Sequence, residues 1–521
     1  MIQISIKNYR CFVAPAVVEF DSGNFTAFVG VNNAGKSAFI RFLVEFRQLF
    51  EFLKQANLLE AMLVPGGARN LAVHHVFDPE EAFSNLNDGA IEIKMSFSGE
   101  HLSSATDVVS QALIVINRNP TVTCSMKIDT RDLGRVDFSR GLSWRTPTTL
   151  LVGSHLIDFE HLMNLAEKLH NTLYIGPFRN IINVGANVGY FDIQIGDAFV
   201  SQFRDLKTGA SKKNSAGMQR LIEDVRRIFE FESLAIEPSS DNKSLHITIN
   251  GKPFKQHELG SGLSQFIVVL ANAAIRRPSL ILIDEPELNL HPRLQLDFLT
   301  ALGSYATDGV WFSTHSLGLA RSAAERVYSI QRVSDGNSLV TLLEGTPRGA
   351  EFLGELSFST QRELGADQIL LVEGPTEVKV IQQLLRRIRK DHLVVLMSMH
   401  GHLPDAVELD EILRITPRVA ALIDSEKDSA QAELEPKRRF FAEMFEAKSL
   451  RVHVLERRAT ENYFTDNAVK QVFGESFRAL GPYEKLKDAT PHWGKNQNWL
   501  LALPSAEAID QTDLGQFLSA L

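Results

Sequence analysis

The glycine-rich stretch GVNNAGKS, Gly30–Ser37, constrains the fold of this 521-residue chain more than any other segment. Apolar residues at 27–29 precede it and predict the end of a buried strand. After it, apolar residues recur at close to helical spacing from Phe39 to Leu53, which predicts one long amphipathic helix. A strand, a glycine loop and a helix in this order are typical of a P-loop, so the segment predicts an α/β fold that binds a nucleotide.

The residue types in this loop suit the phosphates of ATP. Gly30 and Gly35 permit a tight turn that points backbone N–H groups at the phosphates, and the dipole of the following helix adds to the attraction. Lys36 is expected to reach the β- and γ-phosphates, and Ser37 to bind Mg²⁺. The predicted nucleotide contacts here are Gly30, Asn32, Asn33, Gly35, Lys36 and Ser37. The alternative is a glycine-rich turn that binds nothing.

A second motif, LILIDEPELNLHP at 280–292, is a predicted buried strand that ends in two acids. Carboxylates at the carboxyl end of such a strand lie beside the P-loop in open α/β sheets. Asp284 is expected to join the Mg²⁺ shell, and Glu285 to orient or deprotonate the attacking water. Without the P-loop, these acids would equally suit a simple strand cap.

Two further features resemble the ATPases of the ABC/SMC type. His315, in FSTHS, follows the next predicted strand, where that family has a histidine that senses the γ-phosphate. LGSGLSQ, Leu259–Gln265, is similar to the family's signature loop, with Gly260, Ser261 and Gly262 as candidate contacts. The alternative for this loop is a helix N-cap formed by Ser261. The resemblance implies a nucleotide held between two subunits, hence a homodimer or a higher even assembly.

A second series of strands and helices begins near residue 366, so the boundary between two domains is expected between Gly345 and Gly365. Its predicted strands cover 368–373, 393–397, 418–424 and 450–455, and the alternation with helices predicts a parallel sheet. Glu373 and Asp424 end two of these strands, so they are expected to lie close enough to share Mg²⁺ or Mn²⁺. Glu377 and Glu426 are the neighbouring candidate ligands. Caps for the following helices are the structural alternative for these acids.

The motifs QILLVEGPTEVKVI at 368–381 and ALIDSEKD at 421–428 resemble those of a TOPRIM domain, which is Rossmann-like. RRATENYF at 457–464 and HWGKNQNWL at 492–500 resemble segments of the OLD (overcoming lysogenization defect) family of nucleases. This resemblance implies that Glu461 is a further metal ligand and that Lys495 is a catalytic lysine that stabilises charge on the scissile phosphate. The segment YIGPFR at 174–179 also resembles part of the ATPase half of this family, but no role is assigned to Arg179.

Composition excludes few classes of protein. The net charge of −9 disfavours a basic coat for nucleic acid but permits a local basic groove. Two cysteines indicate a reducing compartment, and the absence of a run of about 18 or more apolar residues predicts no membrane span. A cytoplasmic protein is expected. His400 and His402 are interpreted as loop residues, because no cysteine or third histidine accompanies them.

The resemblance therefore predicts an ABC-type P-loop ATPase domain at 1–350, with a mixed α/β insert and possible dimerisation element at roughly 100–250, and a TOPRIM domain at 351–521. The polar segment 207–214 is expected to form an exposed loop. The leading hypothesis is an ATP-regulated, metal-dependent DNA endonuclease of the OLD type that defends bacteria against phage, alone or with a helicase or a reverse transcriptase (retron) partner. The alternative is an ATP-driven DNA clamp like SMC or RecF proteins that does not cut. A transporter ATPase is disfavoured by the acids near the C-terminus.

Overall fold

The computed structural model describes residues 2–76, 78–98, 107–119, 121–129, 138–139, 141–176, 189–209, 211–287, 290, 292–333, 335–343, 368–391, 393–399, 401–415 and 418–521. The chain forms two compact units. Unit 1 comprises 1–290, 301–315 and 326–343, and unit 2 comprises 291–300, 316–325 and 344–521. The predicted boundary between 345 and 365, and with it the division at 350, falls outside the described residues and stays a prediction.

Unit 1 combines several sheets with helices that cover them. Its strands are β1 (Ile2–Lys7), β2 (Ala16–Phe20), β3 (Asn24–Val29), β4 (Arg69–Asn70), β5 (Ile91–Phe97), β6 (Asp107–Ile116), β7 (Thr121–Asp129), β8 (Leu142–Trp144), β9 (Thr149–Val152), β10 (His155–Asp158), β11 (Thr172–Ile175), β12 (Gly189–Tyr190), β13 (Ile193–Gln194), β14 (Leu234–Pro238), β15 (Leu245–Ile249), β16 (Lys252–Lys255), β17 (Leu280–Asp284), β18 (Gly309–Thr314), β19 (Arg326–Arg332) and β20 (Ser338–Leu342). Its helices are α1 (Lys36–Glu45), α2 (Arg47–Lys54), α3 (Ala56–Leu63), α4 (Glu160–His170), α5 (Gly196–Thr208), α6 (Lys212–Ile228) and α7 (Ser261–Arg276).

The sheet that carries the nucleotide motifs has the order β11-β17-β18-β3-β19-β20 and is parallel except for β20. All residues of β17 and β18 are buried, which is typical of parallel strands covered on both faces. Their register aligns Asp284 with Ser313 and Thr314 with Val29. The P-loop, the acid pair and His315 therefore follow three adjacent strands at one edge of this sheet.

A second sheet in unit 1 has the order β2-β1-β5-β6-β10-β9-β8, and β7 pairs with both β6 and β4. Most of its pairs are antiparallel, and its alternate residues contribute to the same core as the helix that follows the P-loop. Smaller sheets consist of β12-β13 and β14-β15-β16. The mixed α/β character predicted between 100 and 250 is thus observed for the described residues of that range.

Two predictions about local structure were wrong. The long helix after the P-loop is broken into α1, α2 and α3, because Phe46 and Gln55 leave helical backbone angles while the apolar spacing continues. The polar segment 207–214, predicted as an exposed loop, lies largely at the end of α5 and the start of α6. Its polarity reflects solvent-facing helical surface, since α6 buries only its apolar face. Arg179 lies outside the described residues.

Unit 2 is built around the parallel sheet β22-β21-β23-β24, in which the central strands are β21 and β23. Its strands are β21 (Gln368–Val372), β22 (Val394–Ser398), β23 (Val419–Ile423) and β24 (Arg451–Val454). Its helices are α8 (Pro292–Gly303, of which 301–303 group with unit 1), α9 (Leu317–Ala323), α10 (Pro375–Arg387), α11 (Ala406–Ile415), α12 (Pro436–Ala447), α13 (Asp466–Phe473), α14 (Trp499–Ala502), α15 (Ala506–Ile509) and α16 (Asp513–Ala520). The predicted second α/β series is therefore present.

Alternate residues of the central strands enter two different cores in unit 2. Leu370 and Leu422 face a core that α10 and the C-terminal helices complete, whereas Leu371 and Ile423 face one that α11 and α12 complete. A sheet covered on both faces leaves its carboxyl edge as the place where polar side chains can gather. No helix among the described residues is long and apolar enough to cross a membrane.

Candidate nucleotide site and carboxylate cluster

The P-loop has a backbone that glycine alone fits at two positions. A Cβ on Gly30 would lie 2.3 Å from the carbonyl oxygen of Ile330 on the adjacent strand β19. Gly35 has φ 109°, and a Cβ there would lie 2.6 Å from the Sγ of Cys11. Asn33 also adopts a positive φ, of 62°, which asparagine tolerates better than most residues. The loop therefore leads directly into α1 at Lys36, as the sequence predicted.

Lys36 lies folded back into this loop. Its Nζ donates hydrogen bonds to the carbonyl oxygens of Gly30, at 2.8 Å, and Val31, at 3.1 Å, and lies 3.2 Å from the Nε2 of His315. Burial lowers the pKa of Lys36 below its usual value, and the charges of Glu285, Asp284 and Glu287 only partly oppose that effect. A cation held by neutral carbonyls at the start of a helix is placed to exchange them for phosphate oxygens.

Asp284 and Ser37 meet at the end of β17. The carboxylate of Asp284 is buried and accepts hydrogen bonds from the hydroxyl groups of Ser313 and Ser37. Burial raises the pKa of Asp284, while those two hydroxyl groups oppose the rise. The two predicted Mg²⁺-binding residues of the nucleotide site are therefore in direct contact.

Glu285 occupies a strained position with φ 52°, which is unusual for a side chain of this size. The backbone holds it there through hydrogen bonds from its N–H to the carbonyl oxygen of Ser313, at 3.1 Å, and to the hydroxyl group of the same residue, at 3.2 Å. Its Oε1 lies 3.0 Å from the Nε2 of His315. His315 thus lies between Glu285 and Lys36, and these three predicted residues are close together in the structure.

Glu287 is a residue of this site that the sequence reasoning missed. Its Oε1 accepts hydrogen bonds from the hydroxyl group of Thr314, at 2.7 Å, and from the backbone N–H of His315, at 2.9 Å. These bonds fix the turn that presents the histidine. The third acid of the DEPE run was the available signal, because it lies two residues beyond Glu285 on the same turn.

The predicted signature loop forms the start of α7. The helix begins at Ser261, with Gly260 in the N-cap position and no side-chain cap, so the alternative of a serine N-cap at 261 was wrong. No backbone hydrogen bond between Gly260 or Gly262 and the P-loop is found among the described residues. The contribution of Ser261 and Gly262 to a nucleotide stays a prediction.

A cluster of carboxylates lies at the carboxyl edge of the sheet in unit 2. Glu373 follows β21 and Asp424 follows β23, and these two strands pair directly in parallel. The backbone N–H of Asp424 donates to the Oε1 of Glu373 at 2.8 Å. The expected proximity of the two strand-end acids is therefore observed.

Lys495 lies among three of the acids. Its Nζ is 3.1 Å from an oxygen of Glu377, 3.6 Å from one of Asp424 and 3.8 Å from one of Glu461. Burial lowers the pKa of Lys495, but the three carboxylates outweigh that effect and raise it above its usual value. Four residues that are far apart in the sequence, Glu377, Asp424, Glu461 and Lys495, thus form one cluster.

The acids themselves are strongly buried. Burial raises the pKa of Asp424 well above its usual value and also raises the pKa of Glu461, in each case against the opposing charge of Lys495. Asp424 Oδ1 accepts a hydrogen bond from the backbone N–H of Thr460 at 3.2 Å. Within the described part of the chain, its Oδ2 and the Oε1 of Glu377 contact Lys495 and receive no hydrogen bond from another group. Groups of this kind bind a cation readily.

The segment Glu461-Asn462-Tyr463 lies in a 3₁₀ turn, and its three side chains have different hydrogen-bond partners. Glu461 accepts a hydrogen bond from Asn498 at 3.2 Å. Asn462 braces the turn through the carbonyl oxygens of Gly481 and Glu484, while the hydroxyl group of Tyr463 lies 2.7 Å from an oxygen of Asp513. The motif therefore directs one carboxylate into the cluster and anchors it with the other two side chains.

Two arginines neutralise acids that were predicted as metal ligands, and sequence reasoning missed both. Arg438 on α12 contacts both oxygens of Glu373. Arg458 binds the carboxylate of Glu426, which is more exposed than the other acids. No group of three or more histidine, cysteine, aspartate or glutamate side chains among the described residues forms a preassembled metal site. His402 pairs with Glu408 on the surface, and His400 lies outside the described residues.

Buried charges also join helices within unit 2. Lys379 on α10, fully buried, donates to Glu325 at 2.6 Å. On the same helix, Gln382 donates to Asp297 of α8 at 2.6 Å, and Arg386 contacts the same carboxylate. The segments 291–300 and 316–325 follow the acid pair and His315 in the chain, so residues that directly succeed the nucleotide motifs help to form unit 2.

Known proteins similar to this chain fall into two groups. The "Old nuclease" of Escherichia phage P2 is 23% identical over 489 residues, with 81% of this chain and 77% of that protein covered. The SMC head domain from Thermotoga maritima is 12% identical and superposes with a TM-score of 0.32. The superposition covers 66% of this chain and 98% of the SMC head domain. An SMC head bound to the C-terminal winged-helix domain of ScpA has the same identity and TM-score, and 97% of it is covered.

Residues 25–322 match a family described as "AAA domain, putative AbiEii toxin, Type IV TA system". This range covers more than half of the chain and includes the P-loop, the acid pair and His315. The match agrees with the geometry, in which these motifs lie together at one edge of a parallel sheet. The chain therefore belongs to this family of AAA domains and carries an ATPase domain.

Proposed function

We propose that this protein is an ATP-binding and ATP-hydrolysing, metal-dependent DNA endonuclease of the OLD type, with an ABC/SMC-type ATPase domain at 1–350 and a TOPRIM nuclease domain at 351–521. The observation that carries the proposal is the position of Lys495 within 4 Å of the carboxylates of Glu377, Asp424 and Glu461. A lysine beside buried acids is suited to phosphodiester chemistry, since it can neutralise charge that builds on the phosphate. The similarity to the "Old nuclease" supports the same substrate class.

The carboxylate set fits Mg²⁺ or Mn²⁺. Among the described residues, the buried oxygens Asp424 Oδ2 and Glu377 Oε1 receive no hydrogen bond from a group other than Lys495, and hard cations favour carboxylate oxygens. Asp424, Glu377 and Glu461 would hold the ion, with Glu373 and Glu426 as further ligands. When bound, a divalent ion supplies a polarised water and compensates phosphate charge. Lys495 can then turn its ammonium group from the acids to the scissile phosphate.

The nucleotide site has separate duties for its residues. Lys36 and the backbone of Gly30–Ser37 bind the phosphates of ATP, and Ser37 with Asp284 holds Mg²⁺. Glu285 positions the water and His315 senses the γ-phosphate between Glu285 and Lys36. Ser261 and Gly262 contact the nucleotide of a second subunit, which makes the active form a homodimer or a higher even assembly.

The proposed setting is the bacterial cytoplasm. There the protein would cut DNA as part of defence against phage, alone or with a helicase or a reverse transcriptase and its nucleic acid. The OLD resemblance supports this role, and the charge of −9 is compatible with it because both proposed sites concentrate acids. A cytoplasmic enzyme of this kind needs no membrane.

A second candidate is an SMC- or RecF-like clamp that binds DNA without cutting it. The ion pair of Arg458 with Glu426 favours this alternative, because it neutralises an acid that the nuclease would use for metal. A plasmid incubated with the purified protein and Mn²⁺ or Mg²⁺ separates the two functions. Nicked or linear DNA that disappears in the Asp424→Ala variant supports the nuclease, whereas retention of intact plasmid on the protein supports the clamp.

A further inference from the structure

Arg438 connects the ends of the two central strands of unit 2. Its Nη1 donates to the carbonyl oxygen of Asp424 at 2.7 Å and to the Oε1 of Glu373, and its Nη2 donates to the Oε2 of Glu373 at 3.2 Å. The side chain is only 13% exposed. A single planar guanidinium group therefore contacts both oxygens of one acid and the backbone of the other.

The backbone of Asp424 also contacts the side chain of Glu373. The N–H of Asp424 donates to Glu373 Oε1 at 2.8 Å, so three N–H groups fix this carboxylate. Each oxygen has room for two acceptor directions, and Oε2 accepts only one of these bonds. Glu373 thus has a fixed orientation, and its Oε2 accepts one hydrogen bond from the described residues.

The charge of Arg438 also matters to the cluster. Asp424 and its acidic neighbours repel one another, and burial strengthens that repulsion. Burial lowers the pKa of Arg438, but Glu373, Asp424 and Glu426 outweigh the effect and raise it, so the guanidinium remains charged. Lys495 compensates the acids on one side of Asp424, and Arg438 compensates Glu373 on the other.

We propose that Arg438 is a positioning residue for divalent-ion binding in unit 2, because it sets the orientation of Glu373 and its distance from Asp424. This inference rests on the proposed metal-dependent nuclease function. Arg438 does not contact the ion or the DNA. It acts through Glu373, as residues that hydrogen-bond metal ligands commonly do.

Calorimetric titration of the intact protein with Mn²⁺ tests this inference without any need for cleavage. Arg438→Gln is expected to raise the dissociation constant for Mn²⁺ by about 10- to 100-fold, the usual effect of removing a group that orients a ligand. The dissociation constant of Arg438→Lys for Mn²⁺ should lie between those of Arg438→Gln and the parent. An ammonium group keeps the charge but cannot reproduce the bidentate contact with Glu373. Cleavage by both variants should return to near the parent rate at saturating Mn²⁺.

Two further variants separate positioning from a general loss of structure. Arg439→Ala is the matched control, because Arg439 is the next residue of α12 and pairs with Glu433 at the surface. It should bind Mn²⁺ like the parent. In a Glu373→Gln background, Arg438→Gln should cause little further loss of Mn²⁺ affinity, since the residue acts through that carboxylate.

Parent-like Mn²⁺ affinity in Arg438→Gln, tighter binding in that variant, or an effect that adds fully to Glu373→Gln would each overturn the inference while leaving the nuclease intact. If Arg438→Gln does not fold, parent-like affinity in Arg438→Lys has the same meaning. A parent protein that neither binds Mn²⁺ nor cleaves DNA would overturn the proposed function, and this inference with it.

Discussion

The nucleotide site of unit 1 and the carboxylate cluster of unit 2 each contain a lysine near several acids, but the two lysines are held differently. Lys36 donates to two backbone carbonyls and lies beside His315, and burial lowers its pKa. Lys495 contacts three carboxylates, which raise its pKa despite burial. The comparison teaches that Lys36 is prepared to receive an anion, whereas Lys495 first neutralises acids.

The largest effect is expected for Lys36, the lysine of the nucleotide site. Lys36→Ala removes the cation that the P-loop offers to phosphate, so ATP affinity should be abolished. Calorimetric titration with ATP checks this result. Lys7→Ala, which alters a surface pair with Glu92, is the control and should bind ATP like the parent. Parent-like ATP binding in Lys36→Ala would show that the loop is only a glycine-rich turn.

Glu285 tests whether the acid pair acts in turnover. Glu285→Gln keeps the size of the side chain but removes the base, so hydrolysis should fall by roughly two orders of magnitude or more while ATP still binds. Phosphate release measured at saturating ATP provides the rate. Unchanged release would mean that His315 and Glu285 do not form the hydrolytic site.

Replacement of Lys495 tests whether the lysine of the carboxylate cluster acts in DNA cleavage or in metal binding. Lys495→Met removes the cation that competes for the acids, so Mn²⁺ should bind at least as tightly as in the parent. Cleavage should nevertheless fall by about 100- to 1,000-fold, the usual effect of losing one group that stabilises transition-state charge. Calorimetry and a plasmid-nicking assay measure the two quantities. Weaker Mn²⁺ binding in this variant would make the lysine a structural part of the site.

The buried charges of unit 2 predict a difference in stability. Asp297→Ala deprives Arg386 of a buried carboxylate and should lower the free energy of unfolding by about 3–5 kcal/mol. Lys448→Ala, which removes an exposed pair with Asp410, should change it by about 1 kcal/mol or less. Denaturant titration measures both. Equal effects would mean that the segment 291–300 adds little to unit 2.

The two sites were predictable from the sequence to different degrees. The nucleotide motifs are contiguous runs whose spacing is dictated by phosphate geometry, so Gly30–Ser37, Asp284 and His315 were found where the sequence indicated. The strand-end acids Glu373 and Asp424 followed from parallel pairing. The OLD resemblance, and not spacing, supplied Glu461 and Lys495.

Other features could not be predicted because they depend on packing. Arg438 and Arg458 have no motif, and their importance appears only when helices bring them to Glu373 and Glu426. Apolar spacing did not reveal the break at Phe46, since the same face remains buried on both sides of it. The inclusion of 291–300 and 316–325 in unit 2 was likewise not predictable, because it reflects tertiary packing in which these segments form buried ion pairs with α10.

The separation of the two chemistries tests the account most directly. Asp424→Ala removes a buried carboxylate from the cluster without altering Lys36, Asp284 or Glu285, and ATP hydrolysis and plasmid cleavage can be measured on the same preparation. We predict near-parent ATP hydrolysis together with no nicked or linear DNA at any Mg²⁺ or Mn²⁺ concentration, and the same result for Glu373→Ala. Parent-like cleavage by either variant would contradict the nuclease assignment and favour the clamp.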